Sequence, residues 1–242
     1  MNKFSIHSKS QSWYGQDIGI IILDAAYPCI PGNVGNANSY NFPVQYMEIQ
    51  GASIDRLLNQ ADPDLVIPFI QGAQKLVAQG AKAITGACGF MALFQKEVSE
   101  SVDVPVFLSS MLQIPFIHTI TGKKVGIITA NSACLTPKHF SACGISPDIP
   151  IAIAGMEGCD EFRSSILEEK GTLDSDLIEE EVVGIAKKLC ADNPGMGSIL
   201  LECSDLPPYA HAVQKAVGLP VYDFNTLINF VQSSISLKKY QQ

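Results

Sequence analysis

Two stretches, Ala83-Ile84-Thr85-Gly86-Ala87-Cys88 and Ile199-Leu200-Leu201-Glu202-Cys203, each run as an apolar strand into a cysteine. Each is followed by a helical stretch and then by an apolar-Pro-apolar strand, Val104-Pro105-Val106 and Leu219-Pro220-Val221. In both, the proline lies 17 residues beyond the cysteine. Upstream, Ile18-Gly19-Ile20-Ile21-Ile22 matches Val125-Gly126-Ile127-Ile128. Strand, cysteine, helix and proline recur in one order, so the chain reads as two related halves. The period is far above the ~20–50 residues of solenoid repeats.

Working outward, strands are expected at 18–23, 44–49, 83–85, 104–108, 124–129, 149–154, 198–201 and 221–224. Asp62-Pro63 is an N-cap followed by proline at the first helical position, and Gly80 is a stop. Pro68 inside that helix implies a kink or a later start. Further helices are expected at 90–101, 111–119 (interrupted by Pro115), 159–168, 176–191, 207–217 and 226–237, with a short one opened by Thr136-Pro137 and closed by Gly144. Strand–helix alternation implies parallel sheets with right-handed crossovers. The expected fold class is therefore α/β, with two pseudo-symmetric subdomains, each a parallel β-sheet flanked by helices, over 17–110 and 111–225. The last helix, 226–237, is expected to pack back on the first subdomain, and the active site to lie between the two.

Composition narrows the function. The 242 residues (26.0 kDa) are 47% hydrophobic and 17% charged, with mean hydropathy +0.18, enough to bury a sizeable core. Sixteen Lys and Arg against 24 Asp and Glu leave a net charge of −8, which argues against a nucleic-acid or anionic-lipid face. Arg56 and Arg163 are the two arginines, too few for a guanidinium clamp on phosphates. No stretch reaches the roughly 18 apolar residues of a membrane span. The N-terminal stretch 1–17 is polar, without the apolar core of a signal peptide, so a cytoplasmic protein is expected. Seven cysteines without a C-x-x-C do not form a disulfide framework there. His7, His118, His139 and His211 stand at no metal-ligand spacing, and no metal is expected.

Residues 26–43, rich in Pro, Gly and Asn, form a long connection after the first strand, and 27–43 are expected to cover the ligand cleft. If a pseudo-two-fold axis relates the halves, Cys88 and Cys203 face each other across that cleft, on the order of 7–10 Å apart. Each precedes a helix, whose N-terminal dipole favours a thiolate. Cys29, Cys134, Cys143, Cys159 and Cys190 read as packing residues. A thiolate on one side of a carbon and a thiol on the other are a general base and a general acid that invert stereochemistry without a cofactor. Gly86 and Gly89 are expected to let backbone N–H groups approach the substrate, and Ser204 to bond a carboxylate oxygen; Ser204 and Asp205 read equally well as helix caps. Asp24, Thr129 and Asn131 end their strands as ligand groups or as turn and cap residues. Asn33 and Asn38 are candidate donors from the loop. Lys138 and His139 are either ordinary surface residues or contacts for a second carboxylate.

The paired cysteines, the strand openings and the Leu200-Leu201-Glu202-Cys203-Ser204 segment resemble the aspartate/glutamate/hydantoin racemase superfamily over residues 17–237. The resemblance implies two α/β subdomains, an active site between them, and cofactor-independent proton transfer by Cys88 and Cys203. Asp24 matches the family's acidic residue after the first strand, although Asp-Ser-Gly is Asp24-Ala25-Ala26 here. Glutamate racemases carry Asn-Thr after the first cysteine and Thr-His after the second; here these are Gly89-Phe90 and Ser204-Asp205. The expected function is a racemase or epimerase acting on a small acid, alpha to a carboxylate or hydantoin carbonyl. Cis–trans isomerisation of a small dicarboxylate, decarboxylation and non-catalytic binding of a small acid are the alternatives. A homodimer is implied by the resemblance alone.

Overall fold

The computed structural model describes residues 12–237; residues 1–11, including His7, and 238–242 lie outside that span. Two four-stranded parallel sheets form the scaffold. The first contains β1 (Ile18–Leu23), β2 (Val44–Ile49), β3 (Ala83–Gly86) and β4 (Val106–Phe107), in the order β2-β1-β3-β4. The second contains β5 (Lys124–Thr129), β6 (Ile151–Gly155), β7 (Met196–Leu201) and β8 (Val221–Tyr222), in the order β6-β5-β7-β8. The helices are α1 (Val66–Ala78), α2 (Gln95–Glu100), α3 (Ile114–Thr121), α4 (Pro137–Ala142), α5 (Asp160–Phe162), α6 (Ser175–Asp192), α7 (Ala210–Val217) and α8 (Phe224–Ile235). This is the expected α/β class. The central strands are continuous apolar runs because both sheet faces are covered. Ile18, Ile20 and Ala83 pack on Phe224, Leu227 and Ile228 of α8. Ile21 and Ile84 belong to the larger core with Phe69 and Leu76 of α1.

The two prolines of the repeat have a shared physical role. Ile84 N–H donates to the Pro105 carbonyl and Ile199 N–H to the Pro220 carbonyl, both at 2.9 Å. Each proline accepts one ladder bond and can donate none, which confines it to the start of a short outer strand. The strands expected at 104–108 and 221–224 are accordingly two residues long. Phe224 belongs to α8, whose N-cap Asp223 accepts from Thr226 N–H at 2.7 Å. Pro68 sits in the first turn of α1 and Pro115 opens α3, where a missing N–H costs nothing, so neither kinks a helix interior.

A pair of wide π-turns, not legible in the sequence, repeats the symmetry. Asp55–Asn59 follows β2 and Arg163–Leu167 follows β6 and α5. The closing bonds match: Gln60 N–H to Asp55 O and Glu168 N–H to Arg163 O, then Asp62 N–H to Arg56 O and Lys170 N–H to Ser164 O. Among the described residues, Ala61 and Glu169, two positions beyond each turn, are the non-glycine residues with positive φ (46° and 53°). Such turns recur at functional sites. These two bring Leu58, Ile166 and Leu167 to the cleft between the halves.

Candidate active site

Cys88 and Cys203 stand at equivalent places, each two residues beyond a central strand. Ala87 N–H bonds Ile21 O and Glu202 N–H bonds Ile128 O, both at 2.8 Å, so both chains leave their sheets by the same step. The two thiols line one narrow pocket, with about 20 Å³ of free volume, together with Leu23, Tyr27, Leu58, Ile166 and Asp205. A wider groove beside Pro63, Leu93 and Pro137 carries no comparable convergence of nucleophiles.

The two sulfurs have different neighbours. Cys203 Sγ donates to Asp205 Oδ2 at 3.3 Å. Asp205 is buried, with Oδ1 accepting from Asn33 Nδ2 at 2.5 Å and Oδ2 from the Tyr27 hydroxyl at 3.5 Å. Burial lifts the Asp205 carboxyl above its ordinary range, while the bonds from Asn33, Cys203 and Tyr27 pull it back. Burial pushes the Cys203 thiol well up, and the Asp205 and Glu202 charges add to this. Burial likewise raises Cys88, followed by the Glu202 charge, but the N–H groups of Phe90 and Met91 oppose that rise.

Residues 27–43 reach over this pocket. Val34 N–H bonds Ser204 O at 3.2 Å, Asn225 Nδ2 bonds Gly32 O at 2.7 Å, and Asn33 and Tyr27 hold Asp205. Asn38 contributes a backbone N–H to the Asn36 side chain and makes no bond to the pocket. Val34 is fully buried and its carbonyl accepts from Tyr40 and Tyr46, so this segment is part of the core as well as a cover.

Of the other candidates, Ser204 lines the pocket and donates to Ala87 O at 2.7 Å, clamping the second half to the first. Gly89 and Thr129 are brought to a buried carboxyl instead of open space. Thr129 Oγ1 donates to Glu202 Oε2 at 2.8 Å, and a Cβ on residue 89 would overlap the Glu202 side chain. Asp24 is exposed and accepts from Gly51 N–H at 2.8 Å, a turn role outside the pocket lining. Asn131 caps the turn Ser132–Cys134. His139 is buried in a capping box with Thr136 and lies edge-on to Phe90, and burial lowers its pKa; it is a helix-start residue. Lys138 lies on the wider groove.

Tyr27 and Glu202 are missed by sequence reasoning. Glu202 had a signal: a carboxyl closing an otherwise apolar strand. It is fully buried, its pKa is pushed up to about 7 by burial, and Oε1 has no hydrogen-bond partner. Tyr27 had none, being one aromatic in a loop of mixed composition.

No family model matches the sequence. Among curated proteins, a dimethylsulfoniopropionate lyase from Durusdinium sp. clade D is 32% identical over 214 residues, covering 85% of this chain and 70% of that protein. Dimethylsulfoniopropionate lyase 3 of Emiliania huxleyi is 31% identical, covering 90% of this chain and 59% of its own length. Among solved structures, unliganded arylmalonate decarboxylase superposes with TM-score 0.60 at 15% identity, covering 94% of this chain and 95% of its own. A putative Asp/Glu racemase from Yersinia pestis gives 0.61 at 14%, covering 92% of this chain and all of its own. The racemase resemblance therefore holds for the fold, whereas the curated relatives are named for a lyase activity, not a racemase activity. Two sheets of matched topology, a thiol at the same exit of each, and a lyase relative matched over most of both chains place this protein in the dimethylsulfoniopropionate lyase family, on the fold of the Asp/Glu racemases.

Proposed function

We propose that this chain is a lyase acting on a small sulfonium carboxylate such as dimethylsulfoniopropionate. The observation that carries this reading is the pocket's charge: two thiols and one buried carboxylate, with no Lys or Arg in the lining. A dicarboxylate would find no cation there. A zwitterion places its sulfonium against Asp205 and the face of Tyr27, and its carboxylate against peptide N–H groups at the strand ends.

The reaction needs one base. The Cys88 thiolate takes the proton from the carbon alpha to the carboxylate. The freed pair forms the carbon–carbon double bond, and the bond from the beta carbon to sulfur breaks with its pair moving to sulfur. Products are the unsaturated acid and a neutral thioether; the thiol then returns its proton to solvent. The leaving group departs neutral, so no acid has to protonate it. Cys88 is assigned as base because the Cys203 thiol is already donated to a buried carboxylate, Asp205, whose charge adds to the rise that burial causes there.

Headspace measurement of dimethyl sulfide released from dimethylsulfoniopropionate tests the proposal, with Cys88→Ala and Cys203→Ala run beside the wild type. The expected result is release by the wild type, a loss of at least ~10²-fold in Cys88→Ala, and a smaller loss in Cys203→Ala. No release, together with inversion and solvent-deuterium uptake in a chiral acid, would restore the racemase reading.

A further inference from the structure

Glu202 is among the buried titratable groups that the mechanism leaves unused. Glu202 precedes Cys203 and lies against Gly89, which follows Cys88, and its charge reaches Cys88, Cys203 and the buried Cys143. Oε2 accepts from Thr129, Oε1 is unpartnered, and the carboxyl fills the volume that any side chain at residue 89 would need. Its carbonyl oxygen accepts from Ser110 Oγ at 3.3 Å, which ties the segment to the first half. The other ionisable groups around it are anions or neutral acids. Asp205 acts on both thiols, and burial lowers the pKa of His139, which lies edge-on to Phe90. Among the described residues, no cation acts on Glu202.

We propose that Glu202 is a positioning residue for Cys88: as a neutral acid it lets the neighbouring thiol ionise, and as a carboxylate it holds that thiol protonated. This rests on Cys88 being the reacting thiol. A carboxyl wedged beneath residue 89, with one oxygen bonded and one bare, changes charge without moving. The two groups therefore titrate as a coupled pair. Burial sets the carboxyl at about 7, inside the working range of an enzyme.

The test reads the thiol directly. Iodoacetamide labelling of Cys88 is followed by mass spectrometry from pH 5.5 to 9.5 in the wild type, Glu202→Gln and Thr129→Val. Exposed Cys29 is the internal reference and circular dichroism the check on folding. The wild-type rate is expected to rise, flatten near pH 7 as Glu202 ionises, and rise again. Glu202→Gln loses the flat region and is on the order of tenfold faster at pH 8.5, with equal rates at pH 5.5. Thr129→Val removes a bond that favours the anion, so its flat region moves to higher pH. Superimposable Cys88 profiles for wild type and Glu202→Gln overturn the proposal. If the glutamine variant does not fold, an unmoved flat region in Thr129→Val overturns it equally. The labelling needs no substrate. The expected profiles without thioether release would refute the lyase reading alone; release with unchanged profiles would refute the Glu202 proposal alone.

Discussion

Replacing Asp205 by Asn removes the negative charge from the pocket while keeping size and an acceptor oxygen. Its one amide oxygen keeps an acceptor for Tyr27 and Cys203, while its NH2 faces Asn33 Nδ2 and that bond is lost. A sulfonium seated about 5 Å from the carboxylate gains roughly 3 kcal/mol at an effective dielectric near 20. Part of that offsets the cost of stripping water from both charges. A net loss of about 1–3 kcal/mol is expected, which is about 5- to 150-fold in kcat/KM, carried mainly by KM. The discriminating ligand is the carbon isostere of the substrate, with a branched alkyl group where the sulfonium stands. It cannot react, so its affinity is measured by calorimetry. Asp205→Asn should weaken the sulfonium acid and leave the isostere unchanged or tighter. Equal weakening of both ligands would show that Asp205 only holds the loop in place. An unchanged KM would remove the cation subsite altogether.

The remaining predictions concern stability and the loop. Glu202 carries a folded-state pKa of about 7 against an ordinary 4.5. Between those values the unfolded chain has lost the proton and the folded chain retains it, so stability falls by about 3 kcal/mol as pH rises from 4.5 to 7 and then levels. Urea midpoints across that range should show the slope in wild type and a markedly shallower one in Glu202→Gln. Gly32 has φ of +100°, and a Cβ there would come within 2.8 Å of Pro208 Cα. Gly32→Ala should lower turnover by displacing Asn33 and Tyr27 from Asp205, with alkylation of denatured protein unchanged; wild-type kinetics would show that the loop does not hold the site. Deleting 34–39 removes the buried Val34, so thermal melting should show a destabilised protein; an unchanged melting temperature would contradict its place in the core.

The parts legible in the sequence are those that depend on local pattern. Continuous apolar runs mark β1 and β5 to the residue, because strands covered on both faces need no alternation, whereas β2, with Gln45 and Glu48 inside it, is marked by an imperfect alternation. Pro-containing segments were read two or three residues too long, since apolar character persists where a proline has already ended the donor ladder. The two cysteines could be singled out because duplication placed them at equal distances from their prolines. What surrounds them was not legible in the same way. Gly89 and Thr129 read as ligand groups because both lie at strand ends, yet their partner is Glu202, just beyond β7 and 73 or more residues away in sequence. The π-turns had no signal either: Asp55-Arg56-Leu57-Leu58-Asn59 and Arg163-Ser164-Ser165-Ile166-Leu167 share geometry but little sequence.

The equivalence of the two halves also bears on which reaction they support. Ala87, Cys88, Gly89 and Phe90 stand where Glu202, Cys203, Ser204 and Asp205 stand in the other half. The backbone and the thiol are duplicated, and every charged or hydroxyl side chain next to the thiol lies on one side. The first half answers by sending its loop across: Tyr27 and Asn33 bond Asp205, Val34 bonds Ser204 O, and Ser204 donates to Ala87 O. Racemisation in both directions asks the two thiols to exchange the roles of base and acid, which favours matched surroundings. Elimination asks one thiol to take a proton and the opposite wall to hold a cation until it leaves. A thiol donated to a buried carboxylate on one side, and a thiol without that bond on the other, suits the second demand. The duplicated scaffold places two sulfurs, and the unequal neighbours divide the work between them.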